Sequence, residues 1–219
     1  MHQPLHLWVP VLDRLDLTEQ FIADYQTQHG THHELHIMDN GSATLPDWPN
    51  VHDLTGATIY EMWNWALDHT PATSNAAIAN NDVRIHHPDT LDTLNRALNH
   101  NPQIGLISPG HGHPEHKGDT IIPVPPTIAQ QGGPAGFFFA IPPRTWHQYR
   151  FPGYLWWYGD TDLFLTVHHI HGRALTVHPT IRVEHIGGGS QTAGHPNDRS
   201  QLIEHDRDLF DTRWAPKLT

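Results

Sequence analysis

Asn80, Asn81 and Asp82 end an apolar run, "NAAIAN", just before the chain turns apolar again. One acid and two amides aimed at a small volume can hold a polar ligand or offer oxygen to a hard cation. The same residues are common in ordinary strand-end turns, so both readings stand. Asp13 and Asp39 likewise close the apolar runs "LHLWVPVL" and "ELHIM". Asp160 and Asp162 open an amphipathic stretch in "GDTDL", where a helix dipole favours an ionised carboxylate and provides a rigid platform for a proton acceptor. The dipole alone also accounts for two acids in a first turn. The clusters "HGHPEH" (111–116) and "HHIH" (168–171) have spacings that can bind Zn²⁺ or Ni²⁺, but in a chain with 22 histidines such clusters also arise from composition.

The elements that must position these residues follow from periodicity. Strands are expected at 5–12, at "ELHIMDNGS", at 75–80 and at 103–108. Between them lie helical patterns. The first, "DLTEQFIADYQTQHG", has Leu17, Phe21 and Tyr25 on one stripe, Asp16 and Glu19 in capping-box spacing and a stop at Gly30. The second, "GATIYEMWNWALDH", turns Ile59, Met62 and Ala66 inward, and the third starts on Pro88. This alternation predicts an α/β fold with a mostly parallel sheet and ligands beyond the carboxyl ends of the strands. Residues 108–136, dense in Pro, Gly and His, read as a long flexible loop with at most a short strand at Thr120–Val124. Then come "FFFAI" as a strand, "PRTWHQYR" as a short helix, "DTDLFLTVHHIHG" as an amphipathic helix, and "ALTVHP" and "IRVEHI" as two strands. The expected organisation is one domain over 1–190 with a polar, loosely patterned tail over 191–219.

Composition narrows the partners. The chain has 219 residues, 37% hydrophobic, enough to bury a core, and 12 Lys+Arg against 23 Asp+Glu give a net charge of -11. This argues against nucleic acid or an anionic membrane as main partner, and an acidic protein handling phosphates needs local positive charge, such as a metal ion. With no cysteine, disulfides and thiolate metal sites are excluded. No long apolar run predicts a membrane span or secretion signal, so the expected location is cytoplasmic.

In order along the chain, "WVPVLDRLDLTEQFI", "LHIMDNGS", "IANNDVRIHHPDTLDTL", "GPAGFFFAIPPRTW", "WWYGDTDLFLTVHHIHG" and "VEHIGGGS" resemble the family 2 glycosyltransferases of the GT-A fold, over roughly residues 5–190. The resemblance implies a Rossmann-like, mixed but mostly parallel sheet flanked by helices. It implies transfer of one sugar from a nucleoside-diphosphate sugar to a hydroxyl of a sugar or protein acceptor, with inversion and with Mn²⁺ or Mg²⁺. Asp82 takes the last place of the family's metal-binding acidic motif, whose earlier acids are here Asn80 and Asn81, so metal affinity without nucleotide should be low. Asn81 would then face ribose or a bound water.

By the same resemblance, Asp39 accepts a hydrogen bond from the base, which suits uracil, thymine or guanine. The backbone of Pro10 and Val11 lines the base, and Asp13 and Arg14 stand where the family carries an Asn-Arg or similar pair. Asp160 occupies the place of the general base, although Gly159 stands where the family often has Glu, which leaves Asp160 and Asp162 ranked by position alone. Asp162 would cap the helix or position a sugar hydroxyl. His185 would complete the metal shell or touch the diphosphate, and an imidazole there suits Mn²⁺ better than Mg²⁺. Gly133, Ala135 and Gly136 would run beside the donor sugar, where small residues let backbone approach. Trp156 and Trp157 would stack on an acceptor sugar or belong to the core. A Gln-x-x-Arg-Trp motif is absent, which implies single additions rather than processive synthesis. Two other classes use similar residues. A nucleotidyltransferase of similar topology would need a Gly-rich basic loop after the first strand, which "PVLDRLD" lacks, and a non-catalytic histidine-rich module would bind metal or nucleotide alone.

Overall fold

The structure, a computed structural model, describes residues 3–29, 32–111, 122–123, 134, 136–187 and 199–218. Strands β1 (Leu5–Val11), β2 (Glu34–Asp39), β3 (Val51–Asp53), β4 (Asn75–Ala79), β5 (Val83–Ile85), β6 (Ile104–His111), β7 (Ile122–Pro123), β8 (Phe138–Ile141) and β9 (Ala174–His185) form one sheet. Its order is β3-β2-β1-β4-β8-β6-β9-β5, with β7 paired to β9. β1, β2, β3 and β4 run parallel, as do β6 and β9, while β8, β5 and β7 run against their neighbours. The sheet is therefore mixed and mostly parallel. Helices α1 (Leu15–Gln26), α2 (Ile59–His69), α3 (Thr90–His100), α4 (Pro143–Trp146), α5 (Gly159–Leu165) and α6 (Arg199–Leu218) flank it, and a π-helical turn, Thr166–Ile170, continues α5.

Alternation along the strands splits the core in two. Leu5, Leu7, Val9, Ile37, Ala77 and Phe138 pack with Phe21 of α1 and Leu94 of α3. Trp8, Met38, Ile78 and Phe139 pack on the other face with Met62 and Ala66 of α2 and Leu163 of α5. Ile59, expected inward, is half-buried against the second cluster.

Several local expectations change. α1 is not closed by an Asp16–Glu19 capping box, because the chain leaves β1 through two left-handed residues, Asp13 (φ 51) and Arg14 (φ 46), and the helix begins at once. Asp16 instead pairs with Arg14 at 3.0 Å, and the helix ends at Gln26, before Gly30. The capping box belongs to α2, where Thr58 Oγ1 accepts from Glu61 N and Thr58 N donates to Glu61 Oε2 at 2.7 Å. α3 starts at Thr90 rather than Pro88. "ALTVHP" and "IRVEHI" are one strand, β9, whose register against β6 shifts between Pro109 and Gly110, opposite the stretch around Pro179, which lacks a backbone N–H. Of the segment expected to be a loop, β6 reaches His111 and β7 covers two residues. Apart from Pro134 and Gly136, its other residues, Gly133 and Ala135 among them, lie outside the described residues, as do most of the "HGHPEH" cluster and most of the "GGGS" run.

The polar C-terminal stretch contains a 20-residue helix, α6, docked by buried anchors. Trp214 is 1% exposed, and Asp206 accepts from the backbone N–H groups of Trp156 and Trp157 at 2.5 and 2.6 Å. Tyr158 stacks on Phe210 at 5.2 Å.

Candidate active site

The carboxyl ends of β1, β2, β4 and β9 meet the starts of β5 and β8 along one edge of the sheet, as the pairs Val11↔Asp39, Ala79↔Phe138 and His185↔Val83 require. β1 keeps its ladder to β2 as far as Val11, but its ladder to β4 stops at Trp8↔Ile78. The chain order reverses between β1 and β4, which makes this the topological switch point, where open α/β sheets form their ligand-binding crevice.

On the β1 side, two loops are knitted together. Asp39, 3% exposed, accepts from Gly41 N at 2.9 Å, from Ser42 N at 3.1 Å and from Ser42 Oγ at 2.5 Å. A carboxylate offers about four lone-pair directions, so roughly one remains after these bonds shape the turn. Ser42 Oγ also accepts from Asp13 N, and Asp13 Oδ1 accepts from Ala43 N. Pro10 and Val11 are buried in the ladder, and Val11 O accepts from Asn40 N at 2.8 Å, so that carbonyl is engaged by the Asp39 turn rather than held open for a base.

On the β4 side, Asn81 does not face the crevice. It is 3% exposed and donates to Thr18 Oγ1 of α1 at 3.0 Å, which fixes the loop that carries Asp82. This corrects the expectation that Asn81 faces ribose. Asp82, 5% exposed, lies with Oδ1 3.2 Å from His185 Nε2, and Asp82 O accepts from Ile186 N. The imidazole of His185 is fixed from its face by Phe137, whose ring stacks on it at 4.1 Å and 13°. Arg14 pairs with Asp16, and its guanidinium is pushed above its ordinary value chiefly by Asp16 and also by the charge of Asp82.

Residue 136, next to Phe137 in the chain, touches the other half of the site. A Cβ on Gly136 would fall 1.9 Å from Asp160 Oδ2, so this glycine exists in direct contact with the carboxylate. Consecutive Cα atoms are about 3.8 Å apart, so residues 136 and 137 join Asp160 to His185 and Asp82 across two adjacent positions. Asp160 keeps part of its surface open, accepts from Thr161 N at 2.7 Å, and is held above the ordinary aspartate range by burial. Its neighbour Tyr60 is also pushed up, by burial first and then by the charge of Asp160. Tyr60 OH donates to Trp157 O and accepts from Gly159 N, both at 2.7 Å. A side chain at 159 would strike the Tyr60 ring, at 2.3 Å for Cβ alone, which is why glycine stands there.

Asp162 has different surroundings and neither expected task suits them. It is 0% exposed; Oδ2 accepts from Tyr149 OH at 2.8 Å, and Oδ1 accepts from Trp214 Nε1 at 2.8 Å and lies 2.9 Å from Arg213 Nε. Both oxygens are engaged by protein, so no substrate proton or hydroxyl reaches them. The helix N-cap is Tyr158, a left-handed residue (φ 42) without a side-chain cap, rather than a carboxylate. Left-handed non-glycine residues are costly and cluster at functional sites, and here Asp13, Arg14 and Tyr158 flank the crevice.

Tyr60, Tyr149, Asp206, Arg213 and Trp214 support the site and were not read from the sequence. Their apolar or charged character fits ordinary helices, and only the Gly159 departure hinted that a bulky group approaches there. Trp156 and Trp157 are half-buried, with ring centroids 5.5 Å apart.

No protein-family model matches the sequence, and no curated protein matches it. Solved structures do match. S. aureus TarS 1-349 superposes with a TM-score of 0.61 at 13% identity, over 83% of this chain and 60% of that one. Its complex with UDP gives 0.63 at 12% identity over the same shares. GalNAc-T7 with UDP, GalNAc and Mn²⁺ gives 0.68 at 12% identity, over 93% of this chain and 48% of that one. The fold is GT-A. This GT-A chain thus spans between about half and three fifths of the solved proteins it matches. Among the described residues, no helix is long and apolar enough to cross a membrane.

Proposed function

We propose that this chain is an inverting glycosyltransferase that moves one sugar at a time from a nucleoside-diphosphate sugar to an acceptor hydroxyl, with a divalent cation held by Asp82 and His185. The observation that carries the reading is the contact of Gly136 with Asp160 beside the Phe137–His185–Asp82 stack. It joins a proton acceptor to a carboxylate–imidazole pair at the mouth of the crevice.

The donor set fits a cation. Two ligand atoms 3.2 Å apart match neighbouring positions around a six-coordinate ion with bonds of roughly 2.1–2.2 Å, and a nitrogen ligand favours Mn²⁺ over Mg²⁺. When bound, such an ion supplies positive charge to the departing diphosphate in a protein of net charge -11. GalNAc-T7, solved with UDP, GalNAc and Mn²⁺, supports a divalent cation in this fold.

The chain's own residues do the rest. Asp13, Asp39 and the turn at Ser42 would hold the base, with Asp39 using its remaining acceptor direction on an N–H of the ring. The absence of a side chain at Gly136 lets the Asp160 carboxylate pack directly on this backbone, beside which the donor sugar would lie. Asp160 accepts the proton of the attacking hydroxyl, and the anomeric centre inverts in a single in-line displacement. A bound diphosphate leaves without protonation by a second acid, so one base is sufficient and Asp162 is free to serve as a buried anchor. Trp156 and Trp157, next to the base, are placed to meet an acceptor sugar.

The test is product analysis by mass spectrometry and NMR with a panel of nucleoside-diphosphate sugars and Mn²⁺. Transfer with inverted anomeric configuration is the expected result. Retained configuration, or formation of a nucleoside-diphosphate sugar with release of pyrophosphate from a nucleoside triphosphate and a sugar phosphate, would overturn it.

A further inference from the structure

Three ligand atoms from neighbouring strands meet far from the crevice. His6 Nδ1 lies 3.2 Å from His36 Nε2, and Glu34 Oε2 lies 3.7 Å from each of them. The sheet register produces this triangle: His6 faces Glu34 and Trp8 faces His36 across β1 and β2, and alternation puts all four side chains on one face. A hydrogen bond between the imidazoles would explain the first distance, but not a carboxylate oxygen equidistant from both rings and beyond bonding reach of either.

We propose that His6, Glu34 and His36 form a second metal site, for a divalent transition metal with Zn²⁺ foremost, that pins β1 to β2. A tetrahedral ion with bonds of about 2.0–2.1 Å sets its ligands roughly 3.3–3.4 Å apart, within a few tenths of an ångström of the three separations. Two imidazoles and a carboxylate suit zinc-like ions better than Mg²⁺.

The surroundings are those of a built site. His36 Nδ1 is 3.3 Å from His52 Nε2, so the second nitrogen of the ligand ring has the outer partner that fixes its tautomer. Trp8 stacks on the His36 ring at 4.0 Å and 17°, which fixes its plane. The side chains of His6 and His36 are 5% and 12% exposed, whereas Glu34 is 50% exposed, leaving an entry path and room for a water as fourth ligand. A second group, His32, His33 and Asp92, also brings ligand atoms together, but His33 Nδ1 already accepts from Leu5 N. β1 and β2 end at Val11 and Asp39, so an ion here would stiffen the two strands that lead to the base-binding turn.

The test is Zn²⁺ titration of the metal-stripped full chain by isothermal calorimetry, in wild type, Glu34→Gln and His36→Gln. Glu34 makes no side-chain hydrogen bond among the described residues, so its replacement leaves the fold intact even if His36→Gln does not fold. A Kd weakened at least tenfold in Glu34→Gln is expected, together with an anomalous peak at the zinc edge among the three side chains in crystals. A smaller change in Kd, or zinc found only elsewhere, overturns the proposal.

Discussion

In the proposed mechanism Asp160 and Gly136 act as a matched pair, and substitutions at either should separate binding from chemistry. Asp160→Asn should keep donor binding by calorimetry and lose about 10²–10⁴-fold in kcat. Gly136→Ala places a methyl where Asp160 Oδ2 now sits, so it should also lower kcat while leaving the thermal midpoint within a few degrees of wild type. Because burial raises Asp160, the proposed base loses its ionised form at a higher pH than an exposed aspartate does. The acid limb of kcat/KM should therefore lie above the ordinary aspartate value of 3.8, and Asp160→Asn should remove it. At this scale the sequence was partly legible. Asp82, Asp160 and His185 could be picked out as polar residues at element ends, but the fates of Asp160 and Asp162 differ through Tyr149, Arg213 and Trp214, which local patterning cannot bring near. The turn toward α1 that removes Asn81 from the crevice depends on Thr18, 63 residues earlier.

Two elements position the site from behind. α1 holds the loop after β4 through Asn81 and clamps β5 through Asp24, whose carboxylate takes Arg84 Nε at 2.7 Å, Arg84 Nη2 at 3.1 Å and Ile85 N at 2.9 Å. Asp24→Ala leaves a paired guanidinium and a buried N–H without their acceptor, so it should destabilise by about 2–3 kcal/mol in urea denaturation. α6 holds the loop before α5, and Asp206→Ala frees the N–H groups of Trp156 and Trp157. That variant should raise the KM for acceptor more than the KM for donor, since the loop it loosens carries the two tryptophans. The strands and helices of the first half were legible because their periodicities are clean. α6 was not, because its anchors are one tryptophan and several charged residues rather than an apolar stripe. The short strands β3 and β5 fell below what three residues of pattern can reveal.

Across the whole molecule, the mixed sheet gathers every strand-end carboxylate of the site on one edge, and buried His33 should add to its acid sensitivity. Burial, aided by the neighbouring charge of His32, lowers His33 to about 4 from 6.5. The unfolded chain takes up this proton near 6.5 and the folded chain only near 4, so the stability is complete above 6.5 and is lost as pH falls through that window. His33 alone accounts for at most about 3 kcal/mol of that loss. His33→Gln should flatten the fall in urea midpoint between pH 6.5 and 4.

The central claim, that Asp82 and His185 receive a nucleoside diphosphate through a cation, is tested most directly by calorimetric titration of UDP and GDP with and without Mn²⁺. Wild type and Asp160→Asn should bind one of them only when Mn²⁺ is present, and Asp82→Ala should not bind it. Undiminished Mn²⁺-dependent binding by Asp82→Ala would contradict the account.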